Sequence, residues 1–127
     1  MARANKSTTP VVLDIPPVEF RVAELSDDFL VTFAHFKQDA DPAPLFAGLP
    51  DNRCQCPHWG YVVAGKITFR FADHDEVYEA GDAFYTPPGH LPLVTAGTMA
   101  VEFSPSAEAA KTDEVIGRNM AAGVQPL

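Results

Sequence analysis

The sequence predicts an all-β protein, a small antiparallel β-barrel or jelly roll with a short C-terminal helix. Three observations favour this fold class. Turn-forming residues recur roughly every eight to twelve residues between positions 26 and 98, as in barrels and sandwiches of short strands. Between these turns apolar and polar residues alternate with the period of a half-buried strand. Twelve prolines and eight glycines in 127 residues also favour short strands over long helices.

The alternation is clearest in residues 18–25, 29–37, 58–64 and 67–71. In a strand, successive side chains point to opposite faces of the sheet. In the third segment this places His58, Gly60 and Val62 on one face. The opposite face receives Trp59, Tyr61 and Val63.

The chain length fits one domain. We expect a disordered tail over residues 1–10, a barrel over 11–104 and a helical extension over 105–127. Ser104 and Pro105 suit a helix start, with serine as the cap and proline at the first helical position. The alanine-rich segment that follows contains good helix formers.

Composition argues against two classes of partner. The net charge is −8, with 17 acidic against 9 basic residues, and no cluster of lysine or arginine is present. Nucleic acids and anionic membranes are bound by basic patches, so we expect neither partner.

Arg3 and Lys6 are not followed by an apolar stretch, so we expect no signal peptide and a cytoplasmic location. Cysteines there act more often as thiols or ligands than in disulfides.

Metal-binding chemistry is concentrated in Cys54-x-Cys56-x-His58 and in His90, which follows Pro-Pro-Gly. Thiolate and imidazole suit zinc, iron, nickel or copper. On one straight strand Cys54 and His58 would lie about 13 Å apart, too far to share an ion. Either only two of these donors bind together, or the chain bends near Pro57. Buried cysteines as small apolar residues remain an alternative.

A pocket beside these donors would be lined by aromatic side chains near them in sequence. The candidates are Trp59, Tyr61, Phe84 and Tyr85, although plain core packing is the more frequent role of such residues. Glu102 lies in a strand and faces either the cavity or solvent. No general acid or base stands out, and the catalytic residues stay unassigned.

These motifs resemble those of the cupin superfamily. Gly81, Pro87 and Gly89 match the glycine and the Pro-x-Gly of the second cupin motif. Pro92 stands at that motif's histidine position, and His90 lies two residues earlier. In the first motif, alignment from Gly48 places Cys54 and Cys56 on two histidines, and alignment from Gly65 places His58 on the glutamate. Pro-His-Trp-Gly-Tyr with Pro-Pro-Gly-His is similar to a group of small single-domain bacterial cupins.

The resemblance implies a divalent transition metal (zinc, iron or nickel), a small-molecule ligand or substrate, and a homodimer. On this basis Cys54, Cys56, His58 and His90 are the candidate metal ligands. Three functions stay open: a metal-dependent enzyme, a non-catalytic module that binds a ligand or senses metal or redox state, and a structural metal site. Four protein ligands would favour the structural site, and three ligands with an open position would favour the enzyme.

Overall fold

Nine antiparallel strands, two short 3₁₀ turns and one α-helix make up the computed structural model, which describes residues 2–127. The elements are β1 (Val11–Ile15), β2 (Val18–Glu24), β3 (Phe29–Phe36), β4 (His58–Ala64), β5 (Lys66–Arg70), β6 (Asp75–Glu79), β7 (Ala83–Thr86), β8 (Leu91–Val94), β9 (Thr98–Pro105) and α1 (Ser106–Ala121). The prediction of an antiparallel all-β fold followed by a C-terminal helix is confirmed.

The strands form two sheets. The larger sheet has the order β1-β2-β3-β9-β4-β7, and the smaller has the order β6-β5-β8. Strand β9 is central because it pairs with β3 along its whole length and with β4 on its other side. Residues that alternate in the sequence therefore fall on an inner face, toward the smaller sheet, or on an outer face.

The main core lies between the two sheets. It is built from Val62, Ile67, Phe69, Phe84 and Val94, each at most 7% exposed. A second cluster lies at one end of the sheets, under α1. It joins the 3₁₀ turns to the helix and contains Leu45, Phe46, Leu49, Cys54, Cys56 and Ala109. Helix α1 therefore covers the end of the fold where the two cysteines lie.

The N-terminal segment has ordered contacts of its own. The prediction of a tail over residues 1–10 includes Met1, which lies outside the described residues. Asn5 accepts backbone hydrogen bonds from Thr8 and Thr9, and Thr9 is buried. The Thr9 carbonyl accepts a hydrogen bond from Arg21 Nη1 at 3.0 Å, which ties the segment to β2.

Within the described residues, the helices are too short or too polar to cross a membrane.

Gly60 provides a test of how tightly the inner face of β4 is packed. A Cβ atom at this position would lie 2.5 Å from the Phe84 ring and 2.7 Å from the Val101 carbonyl oxygen. We expect Gly60→Ala to lower the free energy of unfolding by roughly 1–3 kcal/mol, the usual cost of overpacking. Urea denaturation measures this change.

Gly117→Ala, in α1, is the matched control, because a Cβ atom there meets nothing within 4 Å. Since alanine favours the helix, that variant should be more stable by roughly 0.5–1 kcal/mol. A Gly60→Ala protein as stable as the parent would contradict the packing described for β4.

Candidate metal centre

The backbone joins the two stretches that contain the candidate ligands. The amide of Cys54 donates to the carbonyl oxygen of His90 at 2.9 Å, and the amide of Gly89 donates to the carbonyl oxygen of Cys54 at 2.8 Å. Gly89 has φ = 97°, a left-handed conformation that glycine adopts without strain. This turn brings His90 alongside Cys54, although 35 residues separate them in the chain.

The chain bends between Cys54 and His58. Residues 55–57 are irregular, and β4 begins only at His58. As a result Cys54 Sγ lies 3.9 Å from His58 Nε2. On a straight strand the Cα atoms of the two residues would be roughly 13 Å apart, and their side chains could not meet in this way. Of the two arrangements left open by the sequence, the structure shows the bend.

Three donor atoms converge at this point. Cys54 Sγ and one ring nitrogen each of His58 and His90 all lie within 4.8 Å of one another. Donors of a tetrahedral ion are about 3.5 Å apart, given bonds of about 2.0–2.3 Å, so a small inward movement would complete such a site. Cys54 and His90 are buried, at 3% and 1% exposure.

Neighbouring groups orient both imidazoles. His90 Nδ1 donates a hydrogen bond to the Pro87 carbonyl oxygen at 2.7 Å. The lone pair of Nε2 is therefore the one available to a metal ion. His58 Nδ1 lies 2.7 Å from Ser104 Oγ, so Nε2 is again the nitrogen that faces Cys54. Such outer contacts fix the tautomer and orientation of histidine ligands in metal sites.

Cys56 lies apart from these three donors. It is 1% exposed, and its thiol approaches the Pro57 carbonyl oxygen at 3.5 Å. It also contacts the hydroxyl of Ser104, the residue that holds His58. Of the four ligands predicted from the sequence, the structure brings together Cys54, His58 and His90, and Cys56 lies outside this group.

Glu102 lies on the inner face of β9, opposite Gly60 of β4. Its Oε2 atom is 3.7 Å from His58 Nδ1, the ring nitrogen turned away from Cys54. The side chains of Glu102 and His58 are 17% and 16% exposed, so both are mostly buried and only partly accessible to water. The sequence left the direction of Glu102 open, and the structure points it inward.

The predicted pocket aromatics occupy other positions. Trp59, Tyr61 and Tyr85 lie on the outer face and are 43–47% exposed. Strand alternation turns Trp59 and Tyr61 away from His58, and Tyr85 is the cross-strand partner of Trp59. This placement disagrees with the expectation that they line an interior pocket. Phe84 does point inward, but it packs in the main core.

Thr86 is an inner-face residue that the sequence did not single out. It is the cross-strand partner of His58, it is fully buried, and its hydroxyl has no hydrogen-bond partner among the described residues. Buried polar groups are nearly always satisfied, so an unpaired hydroxyl marks a place for water or a ligand. Only the pairing register of β4 and β7 reveals this residue.

Burial keeps the three donors neutral when no ion is bound. It raises the pKa of the Cys54 thiol, and it lowers the pKa of His58 to about 4. Burial, with the charge of His58 as a second cause, lowers the pKa of His90 to about 4. Metal binding would therefore displace a proton from Cys54 and use imidazoles that are already unprotonated. One thiolate and two imidazoles form a donor set that fits zinc, iron or nickel.

Three solved structures illustrate the similarity of this fold to known proteins. An RmlC-like cupin from Shewanella frigidimarina is 14% identical with a TM-score of 0.58, over 80% of this chain and 87% of that one. The polyketide cyclase RemF from Streptomyces resistomycificus is 17% identical with a TM-score of 0.55, over 83% and 79%. The nucleoside dehydratase Pac13 from Streptomyces is 12% identical with a TM-score of 0.55, over 83% and 82%.

No protein-family model matches the sequence, and no curated protein matches it significantly. The chain has the cupin fold. The resemblance that the Gly81, Pro87 and Gly89 motif suggested is confirmed at the level of the fold.

Replacing Glu102 tests the electrostatics of the interior. Burial raises the pKa of Glu102 from 4.5 to about 7, so the folded protein holds this proton at pH values where the unfolded chain has lost it. Proton binding to Glu102 stabilises the folded state fully at pH values below the pKa of this residue in the unfolded chain. The stabilisation is lost as the pH rises through 7. Glutamine does not titrate.

As the pH rises from about 5 to about 8, we expect the free energy of unfolding of metal-free Glu102→Gln to increase relative to that of the metal-free parent, by roughly 1–3 kcal/mol. Urea denaturation at several pH values measures the difference. The charge of Glu102 raises the pKa of His90, so the comparison is made above pH 5, where His58 and His90, each with a pKa of about 4, are neutral in the folded state. Glu114→Gln, at an exposed position of α1, is the matched control. A stability difference for Glu102→Gln that does not change with pH would place the Glu102 carboxylate in contact with solvent.

Proposed function

We propose that this protein binds one divalent transition metal ion through Cys54, His58 and His90. At least one coordination position remains open on the inner face, on the side of Glu102 and Thr86. A small molecule binds there, and the protein acts on it as a metal-dependent enzyme. The observation that carries the proposal is the convergence of the three donor atoms within 4.8 Å.

The number of donors distinguishes this proposal from a structural metal site. Structural zinc sites are closed by four protein ligands, whereas catalytic sites keep a position open. Cys56 is turned toward Pro57 and Ser104, and Glu102 approaches the far side of the His58 ring. Neither residue supplies a fourth ligand in the geometry described.

The inner residues have distinct proposed roles. A bound metal would supply a Lewis acid that polarises an oxygen atom of the substrate. Ser104 and Pro87 hold the two imidazoles in place. Glu102 is the carboxyl group beside the site, and in the metal-free protein burial raises its pKa to about 7. We assign it the role of accepting a proton from the bound molecule and returning it. The Thr86 hydroxyl is free to hydrogen-bond the bound molecule.

A non-catalytic ligand-binding or sensing role is the alternative. The observation that favours it is the thiol of Cys54, because burial raises its pKa and keeps it protonated until a metal binds, so that metal binding changes the charge of the site. Both cysteines are free thiols, a state that a reducing compartment preserves. We therefore propose a cytoplasmic location under either function, and a homodimer as the assembly.

Metal content tests the ligand set. We expect the purified protein to contain near one equivalent of a transition metal per chain, and Cys54→Ser, His58→Ala and His90→Ala to lose it because each removes one of three donors. Elemental analysis measures the ratio. Cys56→Ser and His74→Ala are matched controls, since His74 lies in an exposed hairpin, and both should keep the metal. Retention by all three ligand variants would contradict the proposed site.

An open coordination position can be tested with a small anion. We expect the visible spectrum of the cobalt-substituted protein to change when azide is added, since azide would take the open position. The response should saturate, and it should persist in Cys56→Ser. A spectrum that azide leaves unchanged would indicate a closed site and would favour a structural metal over an enzyme.

A further inference from the structure

Helix α1 carries a polar residue in the face that it packs against the rest of the fold. Its buried residues are Ala109 and Thr112, which share one face because three positions separate them. Apolar side chains continue this face, since Val115, Ile116 and Met120 pack against the cluster that contains both cysteines. Thr112 therefore lies among apolar neighbours, where a hydroxyl without a hydrogen-bond partner would be costly.

The hydroxyl of Thr112 has its partner in the candidate metal centre. A threonine within a helix commonly hydrogen-bonds the carbonyl oxygen one turn earlier. The structure instead directs Thr112 Oγ1 at Cys54 Sγ, at a distance of 3.7 Å. The two residues are 7% and 3% exposed, so water has little access to either group. A contact between side chains 58 residues apart in the chain thus joins α1 to a candidate ligand.

The other polar contacts of Cys54 cannot donate a hydrogen bond to a metal-bound sulfur. Within the described residues, Sγ approaches the Cys56 carbonyl oxygen at 3.8 Å and His58 Nε2 at 3.9 Å. A carbonyl oxygen only accepts hydrogen bonds. His58 Nε2 would carry no proton as a ligand of the same ion. Thr112 is therefore the group in reach that can donate to the sulfur.

Loss of the thiol proton strengthens the contact with Thr112. In the metal-free protein the Cys54 thiol donates to the Cys56 carbonyl oxygen, and the sulfur and the Thr112 hydroxyl are neutral partners. As a metal ligand the sulfur is a thiolate, which accepts hydrogen bonds and donates none. Hydrogen bonds to an ionised partner are roughly twice as strong as those between neutral groups.

We propose that Thr112 is a positioning residue of the candidate metal centre, whose hydroxyl donates a hydrogen bond to the Cys54 sulfur and holds it toward the ion. The inference rests on the proposed metal site of Cys54, His58 and His90. It gives α1 a part in the chemistry of the site in addition to its packing. Hydrogen bonds around a cysteine ligand also tune the electronic properties of the bound metal, because they withdraw electron density from the sulfur.

The sulfur-to-metal charge-transfer band of the cobalt-substituted protein reports on this hydrogen bond. We expect Thr112→Val and Thr112→Ala to move the band to longer wavelength, because a sulfur without the donor gives up an electron more readily. Both variants should bind cobalt roughly tenfold more weakly in competition with a chelator, at the lower end of the effect of removing contacts around a metal ligand. Thr112→Ser keeps a hydroxyl, so its band and its affinity should stay near those of the parent.

Ala109→Gly is the matched control for packing of the helix. Ala109 lies one turn earlier on the same buried face, and glycine there weakens the helix without removing a hydroxyl. This variant should be less stable to urea but should keep the charge-transfer band of the parent. Valine and alanine differ in volume and in helix propensity, so a band shift that Thr112→Val and Thr112→Ala share is assigned to the missing hydroxyl.

The outcomes separate this inference from the metal site on which it rests. A band and a cobalt affinity that Thr112→Val and Thr112→Ala leave unchanged would overturn the role of Thr112 and leave the metal site intact. An equal band shift in Ala109→Gly or in Thr112→Ser would also overturn it, because helix packing would then be the cause. A parent without the band, or a Cys54→Ser protein that keeps it, would contradict the metal site itself and Thr112 with it.

Discussion

The backbone pairing of Cys54 with His90 is the interaction on which the candidate site depends. Without its two hydrogen bonds, the segment that contains both cysteines would have no fixed position relative to the Pro-Pro-Gly-His turn. Gly89 makes the pairing feasible by its left-handed conformation. The bend over residues 55–57 then returns the chain so that His58 begins β4 beside Cys54. Donors far apart in the sequence thus meet at the end of the sheets that α1 covers.

Alternation along β4 separates two kinds of chemistry. Its inward residue His58 joins the polar interior with Glu102 and Ser104, while Trp59 and Tyr61 point to the outer face. A polar cluster in this interior is tolerable because most of its groups have partners, and the Thr86 hydroxyl is the inner-face group that lacks a partner among the described residues. The same strand therefore supports a candidate ligand site on one side and exposed aromatic side chains on the other.

Much of the fold follows from local patterns, and less of the site does. Turn spacing and two-residue alternation predict the strands, and residue chemistry alone identifies Cys54, His58 and His90 as candidate ligands. The separation of Cys56 depends on the bend after Cys54, which a spacing rule cannot supply. The inward direction of Glu102 and the role of Thr86 depend on the pairing registers of β9 with β4 and of β4 with β7. The outward position of Tyr85 likewise follows from its pairing with Trp59.

The central claim is that one sulfur and two imidazole nitrogens from this chain bind a single ion. X-ray absorption spectroscopy of the zinc-loaded protein tests it most directly, because sulfur and nitrogen ligands differ in distance. The account predicts one sulfur at about 2.3 Å and nitrogen or oxygen donors at about 2.0–2.1 Å. Two sulfurs would mean that Cys56 turns into the site and would contradict the three-donor geometry. A spectrum without sulfur would exclude Cys54 and with it the proposed centre.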